Sequence, residues 1–322
     1  MFIFVIYHLK PLQYFHPPPY ISSLTMKGNL NEAKLILLHP YVQNQGSYHR
    51  SLIMAVFFFS VMAFVGSLYY TKESLICRIA KPETITVSAE SLPEAVTNSL
   101  IHYVMMSNKT YDMSYSDIKR VVEALKECSP CNFLVFGLNH EALLWKALNH
   151  NGRTVFVEEN RFHAAYFEQM HPGVDVFDVV YTTMVKDMKE LMVSAKGSAR
   201  NECRPVQNLL FSECVLGIND LPNHVYDVDW DVILVDGPSG YGPSTPGRMS
   251  SIFTAAVFSR SKKGNKTTHV FVHDYYGEVE RLYGEEFLCR ENLVGDFHGW
   301  LAHFAVETME DTSATHFCSS LS

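Results

Sequence analysis

From residue 133 onward, apolar residues fall into short continuous runs, and amphipathic stretches follow several of them. Five runs predict strands, at 133–136, 154–157, 174–181, 231–235 and 269–272. The stretches after the first three runs repeat apolar residues at helical spacing and predict helices at 141–148, 161–170 and 184–195. Uninterrupted apolar runs that alternate with helices are typical of a mainly parallel sheet covered by helices on both faces.

The chain before residue 93 has a different pattern. Residues 51–70 form 20 uncharged, mainly apolar positions between Arg50 and Lys72. A helix of this length spans a hydrocarbon layer of roughly 30 Å, which predicts a transmembrane signal anchor; a buried core helix is the alternative. Helical spacing within 93–126 predicts two more helices. The predicted division is a tail, the anchor, a stem and a folded domain: 1–50, 51–70, 71–92 and 93–322.

Two features bear on the orientation of the predicted anchor, and they disagree. Within about 15 residues of the span, one basic residue precedes it and three follow it, which does not favour a cytosolic N-terminus. Two Asn-Lys-Thr sequons begin at Asn108 and Asn265, both after the span. They would accept glycans if that side is lumenal, so they favour a type II orientation.

Charge and motif content exclude several classes of function. The net charge of −8 and the scattered Lys and Arg residues exclude a nucleic-acid binder, which needs clustered cations. The sequence has neither the GxSxG elbow of a serine hydrolase nor a GxxxxGK[ST] phosphate loop. Asp227-Val-Asp229 resembles a metal-binding DxD motif but precedes its strand, which puts it at the wrong edge of the sheet. His269 and His273 lie about 13 Å apart along a strand, so they cannot share a metal, and we predict no metal site.

The seven cysteines are too few and too dispersed for a cysteine-dense scaffold. Cys128 and Cys131 have CxxC spacing, but no second pair completes a zinc site. We interpret this segment as a turn that enters the first strand and that a disulfide could close, with a zinc site or a redox role as the alternatives. The odd number of cysteines leaves at least one thiol without an internal partner.

Polar residues follow four of the predicted strands, where ligands of an open α/β sheet bind. Residues 137–140 (GLNH) follow the first strand; the glycine allows a tight turn, and the next helix begins facing the ligand. Glu158 lies 21 residues beyond Gly137, a spacing at which an acid commonly accepts hydrogen bonds from ribose hydroxyls. Asp236 follows the fourth strand and His273-Asp274 the fifth. The alternative is that each cluster is an ordinary polar turn.

A loop rich in Gly, Pro and Ser follows Asp236, at 237–251. Long loops of this composition are often lids over a site. Arg248 within the loop could bind a sugar carboxylate such as glucuronate through a bidentate fork. The alternative is a mobile loop with a solvated arginine.

Four segments resemble a known family: 131–145 (CNFLVFGLNHEALLW), 204–208 (RPVQN), 231–238 (DVILVDGP) and 273–276 (HDYY). They are similar to the plant polysaccharide-methyltransferase family first labelled domain of unknown function 579, and the resemblance runs from about Met26 to Cys318. The chain is most similar to the irregular xylem branch, which is implicated in xylan synthesis in secondary walls. This resemblance implies a Rossmann-like class I methyltransferase fold, an S-adenosylmethionine cofactor, xylan or glucuronoxylan as polymer, and a single-pass type II Golgi membrane protein.

The resemblance also implies roles for the strand-end residues. It assigns cofactor binding to a loop and an acid: Gly137, Leu138, Asn139, His140 and Glu158. This chain departs from the loop of the family at Asn139, because established methyltransferases of the family have a second glycine there. Two hypotheses follow. Either the chain is an active methyltransferase, with Asp236, then His273 and Asp274, as base or hydroxyl-orienting groups, or it is a non-catalytic member that supports a xylan synthase assembly.

Overall fold

The computed structural model describes residues 54–64, 92–107, 113–264, 266–295 and 300–319, and the chain divides into two units, Met1–Glu83 and Thr84–Ser322. In the first unit, residues 54–64 of the predicted anchor are helical with exposed side chains. The rest of that segment, the tail, most of the stem, and Asn108 and Asn265 lie outside the described residues. Among the helices that the structure describes, none combines the length and apolar character needed to cross a membrane.

A six-stranded sheet organises the second unit. Its strands are β1 Asn132–Phe136, β2 Arg153–Glu158, β3 Asp175–Asp178, β4 Val232–Val235, β5 Thr267–His273 and β6 Leu301–Glu307. Their order is β3-β2-β1-β4-β5-β6, and every pairing is parallel except the antiparallel pair β5–β6. The predicted mainly parallel sheet is confirmed, and the strand order reverses between β1 and β4, where open α/β sheets bind ligands.

The described helices of this unit are α1 Glu94–Ser107, α2 Tyr115–Cys128, α3 Ala142–Leu148, α4 Arg161–Met170, α5 Met188–Gly197, α6 Asn223–Tyr226, α7 Met249–Arg260 and α8 Glu278–Tyr283. The two helices predicted within 93–126 are confirmed, as are those at 141–148 and 161–170. The helix predicted at 184–195 begins instead as a 3-10 turn, Val185–Asp187, and continues as α5. The predicted strand at 174–181 is shorter, and α6, α7, α8 and β6 were not predicted.

Residues of the strands alternate between two apolar cores, one on each face of the sheet. Phe136 and Val235 belong to the first core, with β6 and the wholly buried α7. Val135 and Leu234, one position earlier on each strand, belong to the second core, with α1, α2 and α3. Successive strand residues point to opposite faces, so continuous apolar runs bury both faces at once.

Three disulfides join residues of the second unit: Cys128–Cys131, Cys203–Cys214 and Cys289–Cys318. The first closes the turn between α2 and β1, so the interpretation of the CxxC segment as a disulfide-bonded turn is confirmed and the zinc alternative is wrong. The other two pairings were not predicted. The seventh cysteine, Cys77, lies outside the described residues.

Candidate functional site

The turns after β1 and β4 approach each other closely at the switch point of the sheet. Gly137 has φ +108°, and a Cβ there would lie 2.7 Å from the backbone oxygen of Asp236. A Cβ on Gly237 would likewise lie 2.7 Å from the Cα of Gly137. Both positions therefore require glycine, because the backbones leave no room for a side chain.

Asn139 links the same two turns through its side chain. Its Nδ2 donates hydrogen bonds to the Oδ2 of Asp236, at 2.5 Å, and to the backbone oxygen of Asp236, at 3.2 Å. The residue that departs from the glycine of the resembled family is thus held by a strand-end acid. Its side chain forms part of the site.

Residues from the ends of four strands, together with Arg248, line a cavity of about 380 Å³: Gly137, Leu138, Asn139, His140, Glu158, Asp236, His273 and Arg248. The prediction that Gly137, Glu158, Asp236 and His273 surround one cleft is confirmed. Asp274 lines a neighbouring cavity of about 180 Å³ instead, and Arg248 and Tyr241 line both. The functional roles assigned to these residues remain predictions.

Glu158 is held at the end of β2 by the start of α4. It is 8% exposed, and its Oε1 accepts a hydrogen bond from the backbone N–H of Asn160 at 3.0 Å. Asn160 caps α4, because its side chain accepts hydrogen bonds from the N–H groups of Phe162 and His163. His163 Nδ1 lies 3.5 Å from the same Glu158 oxygen. The carboxyl group therefore has a fixed position beside the cavity.

A buried hydrogen-bonded pair connects β4 and β5. His273 Nδ1 lies 2.7 Å from Asp236 Oδ1. Burial raises the pKa of Asp236, but the hydrogen bond and charge of His273 and the charge of Arg248 outweigh it, so the pKa lies below its ordinary value. Burial lowers the pKa of His273, but the hydrogen bond and charge of Asp236 outweigh it, so that pKa is raised. An ionised Asp236 only accepts hydrogen bonds, so Nδ1 of His273 carries a proton and Nε2 is the acceptor of the neutral ring.

Arg248 joins this pair to Asp274. Its guanidinium is 2.8 Å from Asp274 Oδ2 and 3.4 Å from Asp236 Oδ1, and it donates to the backbone oxygen of His273 at 2.5 Å. Arg248 is only 5% exposed, so the alternative of a solvated arginine on a mobile loop is wrong. The predicted bidentate binding of a sugar carboxylate would compete with these contacts, because both terminal nitrogens of Arg248 already have protein acceptors.

The backbone of Asp274 is strained, with φ 57° at a residue that is not glycine. Its carboxylate accepts a hydrogen bond from the hydroxyl of Tyr241 at 2.7 Å. Tyr241 was not predicted as a site residue. Its signal in the sequence is that it is the one aromatic residue in the Gly-, Pro- and Ser-rich loop at 237–251.

The Asp227-Val-Asp229 motif lies before β4, as the sequence predicted. Asp227 and Asp229 precede β4, so they are at the edge opposite to the cavity. Asp229 accepts hydrogen bonds there from the N–H of Lys263 at 3.0 Å and, through its backbone oxygen, from Asn132 at 3.0 Å. His269 and His273 lie four residues apart on β5, with His273 at its carboxyl end, as expected.

Comparison with known proteins agrees with the motifs. A family model described as IRX15/IRX15L/GXM matches residues 116–304. Protein IRX15-LIKE of Arabidopsis thaliana is 57% identical over 302 residues, covering 90% of this chain and 94% of the relative. Protein IRREGULAR XYLEM 15 of the same plant is 54% identical, covering 91% and 95%. Glucuronoxylan 4-O-methyltransferase 3 is 37% identical, covering 72% and 76%. The chain therefore belongs to the IRX15/IRX15L/GXM family.

Proposed function

We propose that this protein acts in plant xylan biosynthesis, as an S-adenosylmethionine-dependent O-methyltransferase of a xylan or glucuronoxylan polymer. The observation that carries this proposal is the 380 Å³ cavity, at which the 137–140 turn, Glu158 and the Asp236–His273 pair meet. Three of the relatives are named as glucuronoxylan 4-O-methyltransferases, and these names support the polymer. The reversal of strand order beside the cavity supports a Rossmann-like class I methyltransferase fold.

The residues around the cavity suit the cofactor. Glu158 is a fixed acceptor for ribose hydroxyls at the end of β2, and the 137–140 turn provides backbone polar groups beside it. When bound, S-adenosylmethionine supplies a methyl group on a positively charged sulfonium, and the acids of the cavity complement that charge. The departure at Asn139 is compatible with this arrangement, because the amide is held against Asp236.

We assign proton removal to His273, with Asp236 as the residue that positions it. Asp236 accepts the Nδ1 proton, which fixes the tautomer and leaves Nε2 to take the proton of a sugar hydroxyl. The hydrogen bond and charge of His273, followed by the charge of Arg248, hold the pKa of Asp236 below its ordinary value. This reverses the order of the sequence-based prediction, which ranked Asp236 before His273 as the base. Asp274 acts through Arg248 and Tyr241 in this arrangement.

The disulfides support a location in an oxidising compartment, because such bonds persist in secretory compartments and are rare in the cytosol. We extend the proposal accordingly to a type II protein of the Golgi membrane, anchored by 51–70 with the catalytic unit in the lumen. Protection of the second unit from protease in sealed microsomes tests this orientation. Digestion without detergent would contradict it.

A second candidate is a non-catalytic member that supports a xylan synthase assembly. One observation favours it. Asn139 stands at the position where the resembled methyltransferases have glycine. Its side chain is hydrogen-bonded to one oxygen of Asp236 and lines the cofactor cavity. If that amide obstructs the cofactor, the fold is retained without the chemistry.

Calorimetric titration of the full-length chain with S-adenosylmethionine separates the two candidates. The enzyme binds the cofactor as it stands, and Glu158→Ala weakens binding about ten- to a hundredfold, because a hydrogen bond to a charged acceptor contributes about 1.5–3 kcal/mol. Glu190→Ala, an exposed acid on α5, is the matched control and should bind as wild type. Binding that appears only in Asn139→Gly supports the second candidate, and no binding in either protein contradicts the cofactor assignment.

A further inference from the structure

Exposed aromatic side chains border the 180 Å³ cavity next to the cofactor cleft. Tyr241 and Tyr276 line this cavity and are 72% and 56% exposed. Trp300 is 53% exposed and contacts Tyr276, with ring centroids 4.6 Å apart and ring planes at 73°. Large aromatic rings that remain exposed together beside a cavity mark a surface that binds a ligand.

Each of these residues has a contact that limits its movement. The hydroxyl of Tyr241 is hydrogen-bonded to Asp274 at the end of β5. Trp300 directly precedes β6, and its backbone oxygen accepts a hydrogen bond from Tyr275 at 3.0 Å. The ring of Tyr276 packs edge-on against that of Trp300. A ligand that stacks here pays little for ordering side chains, because the rings are already held.

The charges that line this cavity favour a neutral ligand over an anionic one. Its lining contains three acids, Asp274, Glu278 and Glu280, against the single cation Arg248. Arg248 already contacts two carboxylates. A sugar carboxylate would therefore meet more negative than positive charge. The acids can instead accept hydrogen bonds from neutral hydroxyl groups.

The dimensions fit one sugar ring. A cavity of about 150 Å³ can hold a benzene molecule, so about 180 Å³ accommodates a six-membered sugar ring. Tyr241 and Arg248 also line the cofactor cavity, so a sugar in the smaller cavity lies next to the Asp236–His273 pair. The rings of Tyr276 and Trp300 offer a stacking surface for the chain that continues from it.

We propose that the 180 Å³ cavity and its aromatic rim, formed by Tyr241, Tyr276 and Trp300, bind uncharged sugar residues of a xylan chain by stacking. The polymer class rests on the proposed function, whereas the preference for uncharged sugars rests on the aromatic rings and acids of this cavity. Under this proposal, the carboxylate of any glucuronate substituent lies outside this cavity. The sequence had instead predicted that such a carboxylate pairs with Arg248.

Tryptophan fluorescence of the full-length chain tests this proposal. The protein has three tryptophans, of which Trp145 and Trp230 are buried at 3% and 0% exposure. Trp300 is therefore the tryptophan that a ligand at the surface can reach. Xylohexaose should change the emission and reduce quenching by acrylamide. Trp300→Phe should lose this response, with the emission of the two buried tryptophans retained.

Variants and a charged ligand decide the outcome. Tyr276→Ala should weaken xylohexaose binding about three- to tenfold, as expected for loss of an aromatic contact. Tyr166→Ala, an exposed tyrosine on α4, is the control and should bind normally. A glucuronate-substituted xylo-oligosaccharide should bind no more tightly than the neutral one. Tighter binding that weakens with salt would overturn the proposal, and so would normal binding by Tyr276→Ala.

Titration with S-adenosylmethionine separates failure of this inference from failure of the proposed function. A protein that binds xylohexaose through Tyr276 but never binds the cofactor keeps the sugar site and rejects the methyltransferase. A protein that binds the cofactor but shows no xylohexaose response at Trp300 keeps the cofactor site and rejects the aromatic rim as the sugar site.

Discussion

The two ends of β4 carry similar residues in different surroundings. Asp236 at the carboxyl end lies 3.4 Å from the guanidinium of Arg248, and Asp231 at the amino end lies 3.3 Å from the ammonium of Lys262. Both basic side chains are nearly or fully buried. Each end thus pairs an aspartate with a buried cation, and residue types alone do not distinguish them.

The difference lies in the remaining partners. Lys262 donates to the backbone oxygen of Trp230 at 2.9 Å and lies 3.4 Å from the hydroxyl of Thr268, while Asp231 accepts from the N–H of Asn132 at 2.9 Å. The charged pair at the amino end therefore satisfies hydrogen-bonding groups of the neighbouring strands. At the carboxyl end, Asp236 bonds to a histidine and an asparagine that line a cavity. A buried ion pair indicates a functional site only when its partners face a space that a ligand can enter.

The largest expected effect compares these two aspartates. Asp236→Asn should lower methyl transfer from S-adenosylmethionine to xylan about 10²- to 10⁴-fold, because His273 loses the carboxylate that orients it for proton transfer. Asp231→Asn, its counterpart at the amino end, should change the transfer rate little. Radiolabelled methyl incorporation, with circular dichroism to verify folding, measures both. Equal losses in two folded variants would remove the functional distinction between the two ends.

A second prediction concerns how closely the backbones approach at the carboxyl end. Gly137→Ala should reduce the free energy of unfolding by about 2–5 kcal/mol, because it combines a positive φ with a contact of 2.7 Å to the backbone of Asp236. Gly173→Ala also has a positive φ, of +93°, but a Cβ there meets nothing within 4 Å. It should lose only about 1–2 kcal/mol. Denaturant unfolding compares the two, and equal losses would show that the close approach has no energetic weight.

The smallest predicted effect concerns the pH dependence of stability and compares the two histidines of β5, His269 near its start and His273 at its carboxyl end. Burial lowers the pKa of His269, whereas the pKa of His273 is raised above 6.5 because Asp236 outweighs burial. The contribution of His273 to stability is complete below its unfolded pKa and is lost as pH rises through the folded pKa. That of His269 has the opposite sign and increases as pH rises toward 6.5.

Unfolding free energies measured from pH 5 to about pH 8 test these signs. The difference between wild type and His273→Gln should shrink as pH rises, and the difference between wild type and His269→Gln should grow. Parallel trends for the two variants would contradict the opposite environments of the two histidines of β5.

The sequence predicted the five parallel strands, four of them from nearly continuous apolar runs. Among the elements that it missed, two were missed for identifiable reasons. Helix α7 is buried on every side, so its sequence has no polar face and no helical periodicity to detect. Strand β6 is antiparallel at the edge, and His303 interrupts its apolar run. The predicted strand at 174–181 was too long, since pairing with β2 ends at Asp178.

Within the site, the sequence located the strand-end residues but not their partners. Gly137, Glu158, Asp236 and His273 line one cavity because a parallel sheet brings the carboxyl ends of its strands to one edge. The contact between Asn139 and Asp236 joins residues 97 apart in the chain. No spacing rule predicts such a pair, and the same holds for Tyr241 with Asp274.

The sequence by itself determined the class of fold, the order of its layers, the edge at which the site lies, and the family. These follow from local periodicity and from covalent geometry, which fixes where each strand ends. Tertiary structure alone decided that Arg248 is buried between two carboxylates, that Asp236 is hydrogen-bonded to His273, and that aromatic rings border a second cavity. Those properties depend on which side chains meet through space, and burial and neighbouring charge then set their protonation.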